Sequence, residues 1–424
     1  VPAYRTAADA VGDPAAHDLR AKAALAQVKQ GDPKGGLETL RGITPTTVEG
    51  RLAEALAYSG AAALGFADPA MGTLKAAESR RLALQTGDTA SIGIASWAQA
   101  AAAHARGDLH GSVWADLHET HQVPRLALRV FDGHLCITQR FLYGARPYAD
   151  VITFADAIAA EARRLGAARG HAFGVTLRGE AELLRGDLDA AEEHLRLGGR
   201  LHRAIGGAVG EALALQRRAE IALHRGRRDT ARALLDEALD LARQTDIGFH
   251  LLDRIYGTRI ALHDDPTAAL AALEDAEDAV RGPLKTCPGC RITFAVPAAI
   301  AAARARRLDL AERYEPLVEY LALVVMRLPA WDAALDEVRA HIAWMRGNGD
   351  AAARFAAAAR GFREAGQPLD AARCAALAAD DAADGRHGVP GRPTGVLPVC
   401  APPVYRGPAR ANELALPLTT SPSR

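Results

Sequence analysis

Apolar residues recur along this chain at intervals of three and four, the spacing that gathers side chains on one face of a helix. Ala231, Leu234, Leu235, Ala238, Leu239 and Leu241 make one such stripe. Short polar turns interrupt the stripes: Gln30-Gly31-Asp32-Pro33, Arg185-Gly186-Asp187, Arg225-Gly226-Arg227 and Arg346-Gly347-Asn348-Gly349-Asp350 are typical. Nine turns centre on residues 31, 67, 107, 145, 186, 226, 264, 307 and 347, each 36 to 43 residues from the last. Their chemistry ends one helix and starts another. Gly takes the left-handed position past a C-terminus, and Asp caps the next N-terminus. Pro at 33, 69, 147 and 266 suits a first helical turn. Each interval holds two helices of about 12 to 18 residues. The pattern predicts an all-α chain, a right-handed α-solenoid of antiparallel helix pairs with a period of about 40 residues. The predicted solenoid spans 1–384.

A finer code runs inside three consecutive units. Gly179, Ala191, Leu195 and Gly198 are followed by Ala219, Ala231, Leu235 and Ala238, then by Gly257, Ala269, Leu273 and Ala276. The internal offsets of 12, 4 and 3 are the same each time. Small residues let two helices approach, and the large one fills the space between them. This resembles a tetratricopeptide repeat with a lengthened period. Units near 107, 307 and 347 match less well, and the first two units and the last read as degenerate caps.

Composition agrees with the helical reading. There are 95 alanines and only 5% aromatics, which favours helix over strand. The 51 basic and 51 acidic side chains cancel, which argues against direct nucleic-acid binding by bulk charge. Arginine outnumbers lysine 46 to 5, the mark of GC-rich codons. Five scattered cysteines are no disulfide framework, the N-terminus lacks a signal-peptide pattern, and the longest apolar stretch is Phe294 to Ala303. A cytoplasmic protein with no membrane contact is expected.

Candidate chemistry is thin. Cys287 and Cys290 form a CxxC just before a helix expected near Arg291. A structural role is the ordinary reading; half a zinc site or a redox pair are the alternatives. His118-Glu119-Thr120-His121 has its histidines at i and i+3, not the i and i+4 of a metalloprotease helix, so it reads as a solvated helix end. Arg225-Gly226-Arg227-Arg228 and Arg304-Ala305-Arg306-Arg307 could meet phosphate, but such clusters more often serve helix C-termini. No phosphate loop of the form G-x-x-x-x-G-K-[ST] occurs and no catalytic triad can be assigned. No cofactor, metal or catalytic residue is expected.

Cys287-Pro288-Gly289-Cys290, Ala295-Val296-Pro297-Ala298-Ala299, Trp331-Asp332-Ala333-Ala334 and the run from Ala365-Gly366-Gln367-Pro368 to Arg373-Cys374 are similar to segments of large LuxR-type bacterial regulators. More closely, they resemble the branch related to the maltose-regulon activator. In that family a repeat region of this kind lies between an ATP-binding domain and a helix-turn-helix. The resemblance implies a non-catalytic binding or sensing module acting in transcription regulation; a stand-alone protein-interaction scaffold is the alternative, and an enzyme with an unrecognised site is a third. The ATP-binding signature is missing, and 385–424 is Pro-rich, expected to be a disordered tail. The chain thus reads as the repeat part alone. In a tetratricopeptide superhelix the first helix of each pair lines the concave groove. Registering on the small-residue position puts Thr176, Glu180, Gln216, Glu220, His224 and Arg254 there, and the poorer units add Arg304, Glu337 and His341. Such a mixed-charge groove suits a protein or peptide partner, or a small effector.

Overall fold

A computed structural model describes residues 1–106, 108–123, 126, 130–245, 248–280 and 289–384. The described residues are helical with no strand. The helices are α1 (Pro2–Ala10), α2 (Ala15–Lys29), α3 (Pro33–Thr39), α4 (Val48–Ala63), α5 (Pro69–Thr86), α6 (Thr89–Ala105), α7 (Leu109–Gln122) and α8 (Val130–Ile137). They continue as α9 (Tyr148–Arg164), α10 (Ala168–Leu184), α11 (Leu188–Ala204), α12 (Ala208–His224), α13 (Arg228–Arg243) and α14 (Phe249–Ala261). The series ends with α15 (Pro266–Val280), α16 (Ile292–Arg304), α17 (Leu308–Tyr320), α18 (Pro329–Met345), α19 (Ala351–Glu364) and α20 (Pro368–Asp384). Helices adjacent in sequence pack against one another through most of the array, the arrangement of a helical repeat. No described helix is long and apolar enough to cross a membrane. The Pro-rich segment 385–424 and Cys287 lie outside the described residues.

All nine predicted turns fall between successive helices, Gly107 itself lying outside the described residues. At 186 and 226 the glycine is left-handed, with φ of 89° and 69°. Gly186 donates to the Leu183 carbonyl and Asp187 to that of Glu182, and Gly226 and Arg227 repeat the pattern on Leu223 and Ala222. These paired bonds satisfy the last carbonyls of α10 and α12. In the 307 turn Arg306 takes the left-handed conformation, φ 57°, where the 186 and 226 turns use glycine. The expected Asp caps are partly realised. Asp32, Asp68 and Asp265 accept from backbone amides of the following helix, whereas Asp187 does not cap α11 and pairs with Arg185.

The small–large–small code packs as its spacing requires. Ala191, Leu195, Ala231, Leu235, Ala238, Ala269, Leu273 and Ala276 are at most 2% exposed. A Cβ at Gly179 would lie 2.7 Å from Leu195 Cγ, and one at Gly198 would lie 2.4 Å from Thr176 Oγ1. Gly257 differs in partner. Its Cβ would come 2.0 Å from the Thr293 carbonyl, so this glycine lets α14 approach the next unit's α16.

Neighbouring units are also tied by ion pairs 34 to 38 residues apart. Asp189 meets Arg225 and Arg228 meets Asp264; Glu277 holds Arg313 at 2.9 Å and Glu312 holds Arg346 at 2.7 Å. The interior members are Arg80–Asp116 at 2.6 Å and Arg291–Asp253 at 2.8 Å. The arginine-rich turns are absorbed here. Arg228 also donates to the Leu262 carbonyl and Arg304 to that of Asp264, both at the α14 C-terminus, while Arg306 lies over the Trp344 ring.

Gly257→Ala is expected to lower stability by about 1–3 kcal/mol, because the backbone at Thr293 must move away. Gly349→Ala, where nothing lies within 4 Å, should change it by less than about 0.5 kcal/mol. Urea unfolding midpoints of the two variants compare them directly.

Candidate functional site

The first helices of the pairs assemble a buried ionic cluster around Arg217. This side chain, on α12, is 1% exposed. Its Nε donates to Glu180 Oε1 on α10 at 2.8 Å, its Nη1 to Glu220 Oε2 at 2.8 Å, and its Nη2 to the Tyr143 hydroxyl at 3.1 Å. Arg254 on α14 donates to the same Glu180 oxygen at 3.4 Å. Gln216 donates to Glu220 Oε1 at 2.7 Å and to Thr258 Oγ1 at 2.9 Å. The Tyr143 ring stacks on Trp331, centroids 4.5 Å apart. Three consecutive units therefore share one network, with two guanidiniums balancing two carboxylates. Burial disfavours the charge on Arg217, but Glu220 and Glu180 outweigh it and hold its pKa well above the ordinary range. Burial likewise pushes Glu220 up, and Arg217 and Arg254 bring it below the usual carboxylate value. A quarter of the Glu220 side chain still reaches solvent.

Four buried atoms of this network have no protein partner: Glu180 Oε2, Gln216 Oε1, Arg254 Nε and Trp331 Nε1. Two accept hydrogen bonds and two donate them. A buried polar atom left unpaired costs about 1–3 kcal/mol.

A second cluster lies toward the other ends of these helices. Glu337 on α18 pairs with Arg373 on α20, which also bonds Asp370 at 2.6 Å. His341 Nε2 is 3.9 Å from Glu337 and its ring meets Phe355 edge-on at 4.9 Å. His224 is exposed. Surrounding protein still depresses its pKa, with Asp370 and Glu220 opposing and Arg373 reinforcing. The unit ending at 224 thus faces the unit beginning at 368.

The expected open groove is corrected by these positions. Thr176, Glu180, Gln216, Arg254, Glu337 and His341 are all buried, and only Glu220, His224 and Arg304 keep solvent contact. The reason is closure. Residues 139–148 touch residues 290, 325–331 and 365–367, so the array folds back on itself over its inner face. Thr176 lies one turn before Glu180 with its hydroxyl against Gly198 of α11. Glu180, Gln216, Glu220 and Arg254 are brought together, Glu337 and His341 form the second cluster, and Arg304 is half-buried on the Asp264 carbonyl. Arg217 and Tyr143 were missed. The signal for Arg217 was its spacing of 37 residues from Glu180, the ion-pair interval of the whole array.

Cys290 is buried two residues before α16 and accepts from Gln139 Nε2 at 3.4 Å. His118 is exposed, stacks on Trp114 and lies 3.7 Å from Glu161. Trp331 is buried, while Trp97 and Trp344 are half-buried. An Asp–His pair joins α7 to α8: His134 Nε2 sits 2.6 Å from Asp116 Oδ2, and Arg80 bonds the other oxygen. Among the described residues His134 Nδ1 has no hydrogen-bond partner. Among the described residues no group of His, Cys, Asp and Glu could hold a metal ion.

Fold and site together define an all-α helical-repeat protein with an ionic interior. No family model matches the chain, and no curated protein matches it.

Two expectations follow. Glu180→Ala strands Arg217 and Arg254 and is expected to cost about 3–5 kcal/mol in thermal or urea unfolding. Acid stability depends on two buried imidazoles. Burial, with Arg169 near one and Arg304 and Arg373 near the other, pushes His202 and His341 down to about 3. Both remain neutral in the folded chain while the unfolded chain takes up protons below about pH 6.5. Stability should therefore fall as pH drops from about 6.5 toward 3, by about 1.4 kcal/mol per pH unit for each histidine. His202→Leu should remove one share of that slope in urea midpoints measured between pH 7.5 and 5.

Proposed function

We propose that this chain is a non-catalytic binding and sensing module, the helical-repeat region of a LuxR-type transcriptional regulator, and that its ligand is a small, polar, uncharged effector. The observation that carries the effector is the set of four unpartnered buried atoms in the Arg217 network. Donors and acceptors are equal in number, and the surrounding charges cancel, so neither an anion nor a cation is favoured. A peptide or a protein helix would need an open groove, and the inner face is covered by residues 325–331. The assignment to a regulator rests on the repeat and on the segments around Cys290, Trp331 and Arg373 that resemble that family. In such a design, effector binding alters how the superhelix packs on neighbouring domains.

A stand-alone protein-interaction scaffold is the second reading. It is favoured by Tyr320, Leu323 and Val324, large apolar side chains exposed at the end of α17.

Thermal melting of the full chain across a panel of neutral polyols and amides tests the effector. A compound held at a hundred times its Kd should stabilise the fold by about 2.7 kcal/mol. Trp331→Phe, which keeps the ring and removes its N–H, should weaken that shift. No shift with any neutral compound, alongside binding of peptides, would move the conclusion to the scaffold. Recovery of an ATP-binding or DNA-binding protein with the chain as bait supports the regulator assignment; recovery of unrelated proteins alone counts against it.

A further inference from the structure

The line along which the array meets itself differs in kind from every other junction. Along the chain, successive helices pack face to face. Across the seam, turns and single side chains make the contact. Arg140, ending a short 3₁₀ turn after α8, donates from Nη1 to the Met326 carbonyl at 2.6 Å and from Nη2 to the Val325 carbonyl at 2.9 Å. Those carbonyls close a π-helical segment, Leu321–Met326, that extends α17 and ends at Arg327 with φ 52°. Three residues on, Ala330 N–H donates to the Tyr143 carbonyl at 3.0 Å, beside the Tyr143–Trp331 stack. Further along, Gln367 Nε2 donates to the Tyr148 hydroxyl at 2.8 Å. Gly144, φ 84°, sits against Ala365 and Pro329, where a Cβ would come within 3.1 Å of either.

The polar links across the seam include a bidentate guanidinium, one backbone bond, one ring stack and two side-chain bonds, Gln367–Tyr148 and Gln139–Cys290. It contains a π segment and three left-handed residues, Tyr143, Gly144 and Arg327, conformations that non-glycine side chains adopt only at a cost. Its side chains are mostly buried, but among the described residues the contact is made by turns rather than by packed helix faces, and with the strained backbone that marks a junction able to part before the helix pairs do. Tyr143 links this line to the interior, because its hydroxyl also accepts from Arg217.

We propose that the seam is a clasp. It opens and closes as one unit while the helix pairs stay packed, and its opening gives solutes passage to the ionic cluster behind Tyr143. The purpose assigned to the opening rests on the effector reading; the opening itself does not, so its test uses no effector.

Two native thiols report it. Cys290 is buried at the seam under Gln139, and Cys374 is buried in α20 against Glu337. The full chain is exposed to iodoacetamide under native conditions, and alkylation at each cysteine is followed by peptide mapping. Arg140→Ala removes both guanidinium bonds and should raise the Cys290 rate about tenfold or more, leaving Cys374 unchanged. Tyr148→Phe removes one bond at the other end of the seam and should raise Cys290 about two- to tenfold. In both variants the Cys290 rate should be insensitive to low urea, as local opening requires. An unchanged Cys290 rate in these variants overturns the clasp. An equal rise at both thiols, growing with urea, also overturns it, because that is global unfolding. Circular dichroism establishes that each variant is folded; if Arg140→Ala is not, Tyr148→Phe decides.

Discussion

A guanidinium with 1% exposure is the constraint around which the inner half of this structure is arranged. Arg217 cannot be neutralised, so its charge must be matched where it sits. Glu180 comes from the preceding unit, Glu220 from the same helix, and the Tyr143 hydroxyl from the turn before α9. The three partners fix the stacking of α10 on α12 and draw the 139–148 turn across the inner face. Once Tyr143 is placed, Trp331 has a ring to stack on, and the array closes.

The same requirement, in milder form, recurs outward. Arginine–carboxylate pairs at 34 to 36 residues join unit to unit nearer the surface. Those exposed to water add little stability individually, on the order of 0–1 kcal/mol. Their common interval matters more, since a slipped stacking would set like charges against each other. Part of the balanced charge, 51 basic and 51 acidic residues, is thus directed at the neighbouring unit.

Helix pairing was legible because it is local. Turn chemistry at 186 and 226, and the 12–4–3 spacing of Ala231, Leu235 and Ala238 from Ala219, depend on residues within one unit. The left-handed glycines at 166, 206 and 366, which turn the chain between units, carry the same signal but lie outside the forty-residue count made from alternate turns. Closure was not legible. It depends on the small rotation between units summed over the array, and no single residue encodes it. That is why Glu180, Gln216 and Arg254, expected to line an open groove, are buried. Thr176, one turn before Glu180, is buried with its hydroxyl against Gly198, where the missing side chain leaves room for it.

The ionic filling of the interior calls for a reason beyond stability. Apolar side chains of similar volume would serve a packed core as well, and often better by 1–4 kcal/mol in comparable cases. Register is one reason, because Glu180 Oε1 can take both Arg217 and Arg254 only when three units align. Register alone, however, would be met by a closed network, and this one is not closed. The second oxygen of Glu180, the amide oxygen of Gln216 and the Nε of Arg254 remain without protein partners. A core selected only to hold units in line would have lost those atoms or paired them. Their position beside a seam made of turns rather than helix faces is what the effector proposal rests on.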